Sequence, residues 1–290
     1  MSERLNAWPT LVYEDLAPMV DYVNRVVQVA GKYTLDEPFE VGWGNTVLGV
    51  TPRGLRTPTL RQRGVTFTVH YSLLDGGVVI EADNGSRTVP LSKGSVSMFY
   101  ASFCDAADEL GIHRPRSSLI CEIPDAPPCF EDDHVERTWD GHAARLIWTA
   151  LNLASDGLEA AQPTVPPPHQ PPFMQNAQLD TYVSVGFSFG DAKAPNVGMY
   201  AYIWPKPDGL GDRSWGVEGA AWRPDAGLVR LPWAKLRETA DPHQAIVAFG
   251  DAVYDAAVET AGWPSDLVGP RVEGWYMSKT PPALVQHQHG

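Results

Sequence analysis

Apolar residues first recur at three- and four-residue spacing between about Tyr13 and Ala30, where Leu16, Met19, Val20, Val23, Val26 and Val27 fall on one side. That spacing predicts an amphipathic helix, and Gly31 is placed to end it. The period then drops to two. Val65, Phe67, Val69, Tyr71 and Leu73 alternate with Thr66, Thr68, His70 and Ser72, the pattern of a half-buried strand. Asp75-Gly76-Gly77 turns the chain into Val78-Val79-Ile80, and Asp83-Asn84-Gly85-Ser86 turns it again into Thr88-Val89-Pro90-Leu91. Tight Gly/Asn turns between alternating runs predict hairpins, hence an antiparallel sheet. Ser92 or Ser95 is positioned to cap a second helix that presents Val96, Phe99, Tyr100, Phe103, Ala106, Ala107 and Leu110 and ends at Gly111.

The same order then repeats. A helix is expected from about Asp140 to Ala161, followed by a proline-rich loop, Pro163 to Pro172, that can join neither a helix nor a central strand. Strands are expected at Tyr182–Phe189, Met199–Trp204, Trp215–Trp222 and Leu228–Leu231, with Pro224-Asp225-Ala226-Gly227 as the last turn. A final helix runs from Pro242 to Ala261. Phe99, Asp105, Ala106, Ala107 and Glu109 match Phe249, Asp255, Ala256, Ala257 and Glu259 at a constant offset, although any two Ala-rich amphipathic helices repeat apolar positions. The reading is an α+β protein of two similar halves, each an antiparallel sheet flanked by helices, with a cleft between them. The boundaries are 1–112 for the first half, 113–138 for a connector, 139–263 for the second half and 264–290 for a C-terminal tail.

Composition narrows the partners. The chain has 290 residues, 22 basic and 35 acidic, for a net charge of −13. With no Lys/Arg block, it lacks the basic face that phosphate backbones require, so no nucleic acid is expected. No apolar run approaches a membrane span and no charged-then-apolar leader opens the chain. Cys104, Cys121 and Cys129 form an odd, unpatterned set, which argues against a disulfide framework and for a reducing cytoplasm. A homo-oligomer is compatible with all of this.

Phosphate-loop, nucleophile-elbow and zinc-protease motifs are absent, and Gly42-Trp43-Gly44 lacks the third glycine of a dinucleotide fingerprint. No cofactor is expected. The internal histidines are scattered and no cysteine neighbours one at ligand spacing, so no transition-metal site is expected either. Oxygen-only ligation of Mg²⁺ or Ca²⁺ around Glu131-Asp132-Asp133 stays open, without a calcium-loop pattern to support it. The richest polar stretch is Cys121-Glu122-Ile123-Pro124-Asp125, followed by Glu131-Asp132-Asp133-His134-Val135-Glu136. Carboxylates beside one histidine suit acid–base work or an ion, and equally suit a solvated connector whose acids cap the next helix. His70 and His113 are each candidates for catalysis, although a lone histidine is more often exposed or locally hydrogen-bonded, as His142 is expected to be; Cys104 reads as a small core residue. Tyr200, Tyr202 and Trp204 alternate on one strand, with Trp215 and Trp222 nearby. That face either lines an apolar pocket for a flat or cyclic molecule or belongs to an ordinary aromatic core.

Thr51-Pro52-Arg53-Gly54-Leu55-Arg56-Thr57, Glu122-Ile123-Pro124-Asp125 and Met199-Tyr200-Ala201-Tyr202, through Pro205 and Pro207, resemble an uncharacterised bacterial family, the domain-of-unknown-function family 5996. The likeness extends from Trp8-Pro9 to Ala261-Gly262-Trp263. It implies a fold and no established activity. Where the family has a His-Trp-Trp-His stretch, this chain has Val41-Gly42-Trp43-Gly44-Asn45; where it has His-x-x-Tyr-Asp, this chain has Glu136-Arg137-Thr138-Trp139-Asp140. A His-Glu pair corresponds to Asp180-Thr181. If those histidines form a site in the family, the resemblance implies that this chain has dismantled it, leaving Trp43, Arg53, Glu122, Asp125 and Asp140. Two functions are therefore expected. One is a cofactor-independent enzyme on a small, largely apolar molecule, performing cyclisation, isomerisation or elimination. In it Glu136, His134 or Asp180 moves protons, while Trp43, Arg53, Tyr182, Tyr200, Tyr202 and Trp204 hold the substrate. The other is a binding or assembly protein that kept the fold and lost the chemistry.

Overall fold

The structure, a computed structural model, describes residues 8–161, 175–176, 181–211 and 213–261. The first helix, α1 (Tyr13–Thr34), does not stop at Gly31. Its last turn is held by packing: Tyr33 is buried edge-on against Phe67, with ring centroids 5.4 Å apart, and Thr34 is fully buried. Gly31 keeps a negative φ inside the helix, so burial of the following residues overrides its tendency to terminate.

A sheet of short strands follows: β1 (Gly49–Thr51), β2 (Gly54–Arg56), β3 (Leu60–Gln62), β4 (Val65–Ser72), β5 (Gly77–Ala82) and β6 (Gly85–Pro90). All pairings are antiparallel, in the order β1-β2-β4-β5-β6 with β3 also beside β4. The alternation read along Val65–Leu73 is borne out: Phe67, Val69, Tyr71 and Leu73 are buried. Gly54 is required where β2 meets β4, since a Cβ there would lie 1.8 Å from the Tyr71 carbonyl oxygen. Next comes α2 (Val96–Asp108), whose N-cap is Ser95, accepting from the Met98 amide at 3.2 Å.

The second half comprises α3 (Gly141–Ala161), β7 (Gln175–Asn176), β8 (Thr181–Ser188), β9 (Gly198–Trp204), β10 (Ala221–Arg223), β11 (Leu228–Pro232), α4 (Trp233–Glu238) and α5 (Pro242–Thr260). Its sheet runs β10-β11-β9-β8-β7, again antiparallel throughout. The expected strand over Trp215–Trp222 is not formed; only Ala221–Arg223 pairs. Gly216 and Gly219 take φ of +77° and +87°, a left-handed backbone that breaks extended structure, and Gly216 lies so close to the Ala248 carbonyl that no Cβ fits. The halves thus share an element order but not a strand order. In the first sheet the strand preceding α2 lies at an edge, whereas in the second β11 lies inside, between β10 and β9.

Helix α3 joins the two cores. Ala143, Ala144, Ile147 and Trp148 pack with α1, α2 and the first sheet, while Ala150 and Ala154 pack with α5 and the second sheet. Gly157 allows the close approach of α5, because a Cβ there would meet Ile246 at 2.5 Å. The segment before α1 fastens the halves a second time. Trp8 packs on Trp233 with centroids 4.6 Å apart, Trp233 Nε1 donates to the Pro9 carbonyl at 2.8 Å, and Arg237 Nε donates to the Trp8 carbonyl at 2.9 Å. The proline-rich loop and the C-terminal tail lie outside the described residues.

Candidate functional site

One stripe of α1 faces two adjoining cavities. Val20, Val23, Asn24 and Val27 wall the first, a space of about 390 Å³ closed by Leu48, Val50 and Leu55 from the β1–β2 region, Ile147 and Leu151 from α3, and Phe187 to Gly190 at the end of β8. Asn24 and Val27 also line the second, of about 820 Å³, which continues past Gln28, Gly31, Lys32 and Leu35 to Thr46 and to Cys121, Glu122 and Ile123 of the connector. The first wall is apolar but for Asn24 and Ser188; the second gathers polar groups. Open space lies over the stripe at Gly31, where a Cβ would meet nothing within 4 Å.

The connector is pinned to α1 by the Gln28 side chain, which donates to the Cys121 carbonyl and accepts from its amide, both at 2.9 Å. Lys32, only 8% exposed, donates to the Cys121 sulfur at 3.3 Å and lies 5.9 Å from the centre of the Phe130 ring. Glu122 and Asp125 adopt φ of +59° and +58°; for a glutamate this left-handed backbone is uncommon and marks a conformation imposed by its surroundings. Sequence reasoning singled out Cys121 to Asp125 and missed Lys32, which follows the supposed helix stop. Lysine at an i+4 spacing from Gln28, on the stripe already carrying Val20, Asn24 and Val27, was the available signal.

A charged cluster lies beneath the same helix. Asp133 is fully buried and receives Arg25 at 3.0 Å and Arg137 at 2.8 Å; both arginines also reach Asp21, at 2.8 and 2.9 Å. Burial pushes the Asp21 carboxyl up, but hydrogen bonds from Arg25 and Arg137 outweigh it and hold the group below its ordinary value. This cluster fixes the connector to α1.

The other sequence-predicted site residues are dispersed. His134 is exposed and its Nδ1 lies 3.0 Å from the Ser97 hydroxyl. Glu136 pairs with Lys93 at the surface, 3.2 Å away. Asp180 and the side chains of Trp43 and Tyr182 lie outside the described residues. Arg53, in the β1–β2 turn, grips Asp75 of the β4–β5 turn with two nitrogens; that hydrogen bonding, with one from Ser72, lowers the Asp75 carboxyl to about 2. Tyr200 and Tyr202 stack 6.3 Å apart on the face of β9 opposite Met199, Ala201 and Ile203, and Trp204 is 52% exposed. Gly186 makes room for the Tyr200 ring. Among the described side chains, His134, Glu136, Arg53, Tyr200, Tyr202 and Trp204 line neither of the two cavities along α1. His70 bonds the Thr51 hydroxyl at 2.8 Å, and burial lowers its pKa. Among the described residues no group of three or more His, Cys, Asp or Glu gathers at metal-binding distance, and no helix is long and apolar enough to cross a membrane.

Fold and site together define an α+β chain of two helix–sheet–helix halves, joined through one helix and carrying a partly apolar cavity along another. The chain belongs to a family of unknown function (DUF5996), whose model matches residues 8–164 and 156–269. No curated protein and no solved structure matches it.

Proposed function

We propose that the chain binds a small, largely apolar molecule in the cavity walled by α1, the β1–β2 region, α3 and the end of β8. The supporting observation is the wall itself: valine, leucine, isoleucine and phenylalanine side chains from both halves line a half-open cleft of about 390 Å³ that leads to a polar end on the same helix stripe. That volume falls in the range of small-molecule sites. Side chains around such a space lack partner atoms on one side, and an apolar guest supplies those contacts.

A cofactor-free enzyme on the same kind of molecule is the second reading. It is favoured by Lys32, Cys121 and Glu122 at the wall of the adjoining cavity, and not by Glu136 or His134. In that reading Cys121→Ser retains binding and abolishes turnover.

The binding reading predicts saturable, one-to-one uptake of a neutral solvatochromic dye by the full chain. Val27→Trp, which places an indole in the space shared by both cavities, weakens that uptake by about tenfold or more, the equivalent of roughly 1.4 kcal/mol. Fluorescence titration of the two proteins side by side measures it. Undiminished uptake by Val27→Trp places the dye elsewhere and contradicts the proposal.

A further inference from the structure

We infer that the ligand of the α1-lined cavities is an amphiphile with a singly charged anionic head, a chain carboxylate, received by Lys32. This rests on the reading of those cavities as a ligand site and names the class of molecule.

Lys32 is the starting point. Burying an ammonium is costly unless a carboxylate or similar group compensates it. Elsewhere around α1 this rule is kept: Arg25 and Arg137 are both largely buried, and both pair with Asp21 and Asp133. Lys32 is 8% exposed, yet its partners among the described residues are a thiol at 3.3 Å and the Phe130 ring at 5.9 Å. No carboxylate of the described residues forms an ion pair with it. Its side chain lines the larger cavity, so the missing counter-charge can come from a bound molecule.

Geometry supplies the rest of the class. At 1.5 Å rise per residue, Lys32 stands about 12 Å along α1 from Asn24 and about 18 Å from Val20. Asn24 and Val27 belong to both cavities, so the stripe is continuous from the apolar end to the ammonium. A ligand satisfying both ends is therefore elongated, apolar for most of its length and anionic at one tip. Gln28, midway, has its amide engaged by the Cys121 backbone on both sides and so does not compete for the head. Glu122 is the carboxylate at the rim among the described lining residues, and its repulsion disfavours a doubly charged head such as a phosphate monoester.

Titration calorimetry on the full chain tests this with decanoate, 1-decanol and decyl phosphate. Decanoate is expected to bind at least about tenfold more tightly than decanol, the scale of one charge-assisted hydrogen bond, and more tightly than decyl phosphate. Lys32→Met lowers decanoate affinity to that of decanol and leaves decanol affinity unchanged, while Lys32→Arg keeps the preference. Unliganded Lys32→Met melts no lower than the parent, because a buried charge without a carboxylate partner has been removed. A lower melting temperature would show the ammonium to be a structural element and overturn the assignment. Equal binding of decanoate and decanol, lost in Val27→Trp, overturns the charged head but leaves the apolar cavity as a ligand site. Absence of binding by all three probes overturns both.

Discussion

Asp133→Ala is expected to destabilise the fold by about 3–5 kcal/mol, the cost of stripping one partner from a buried ion cluster. Asp133 has no exposed surface, and its two carboxylate oxygens divide between Arg25 and Arg137, whose side chains are 7% and 11% exposed. Alanine leaves two buried guanidiniums facing the single carboxylate of Asp21. The Val135 amide, which donates to Asp133 Oδ1 at 3.3 Å, loses its acceptor as well. The penalty belongs to the broken pair and not to the absence of charge, so the triple replacement Arg25→Met, Asp133→Leu, Arg137→Met should cost much less than Asp133→Ala alone. Equilibrium urea unfolding of both variants separates the two. The cluster also sets an acid limb. The Asp21 pKa lies below its ordinary value of 3.8 in the fold, so its contribution is complete above that value and is lost as pH falls through the depressed one. Asp21→Asn should flatten the stability curve in that window. A loss below about 1 kcal/mol in Asp133→Ala, the level of an exposed pair, would contradict the buried-cluster account.

Trp233→Ala is expected to cost a further class of stability, about 3–5 kcal/mol from the vacated core volume. Trp233 is 2% exposed, packs against Phe187 at 5.3 Å as well as Trp8, and fixes Pro9 through its indole nitrogen. Its loss therefore also frees the segment ahead of α1, and proteolysis at residues 8–12 should accelerate together with the drop in urea midpoint. Trp233→Phe, which keeps the ring but not the Pro9 hydrogen bond, separates the packing loss from the strap. Cleavage unchanged in Trp233→Ala would mean that Arg237 and Trp8 hold the strap without it.

What could be read from the chain divides along physical lines. The β4–β6 meander was legible because alternation, glycine turns and local pairing coincide within Val65 to Leu91. The capped start of α2, narrowed in the sequence to Ser92 or Ser95 and made by Ser95, and the matched faces of α2 and α5 were legible for the same local reason: Phe99 and Phe249 are both buried, as are Ala107 and Ala257. The failures are those of local rules overruled by tertiary contacts. Gly31 has a terminator's identity, but the burial of Tyr33 and Thr34 carries α1 onward and delivers Lys32 to the cavity. Trp215–Trp222 has a strand's apolar content, but the left-handed Gly216 and Gly219 bend it, the first against α5 and the second against Lys235 of α4. The candidate site depends on α1, α3 and β8 meeting across long sequence separations, which periodicity does not encode. Cys121 to Asp125 stood out by composition alone, and only the fold gives the stretch a partner, Gln28, and a cavity to face.

The central claim is that a small apolar molecule occupies the space along α1, and methyl NMR of the full chain titrated with decanoate tests it most directly. The account predicts saturating shifts at the methyls of Val20, Val23, Val27, Leu55, Ile147 and Leu151, which wall that space. Leu231, Ile246 and Val253, buried in the second core, should stay unmoved. Shifts confined to residues away from α1 and α3, or no saturable shift at all, would contradict it.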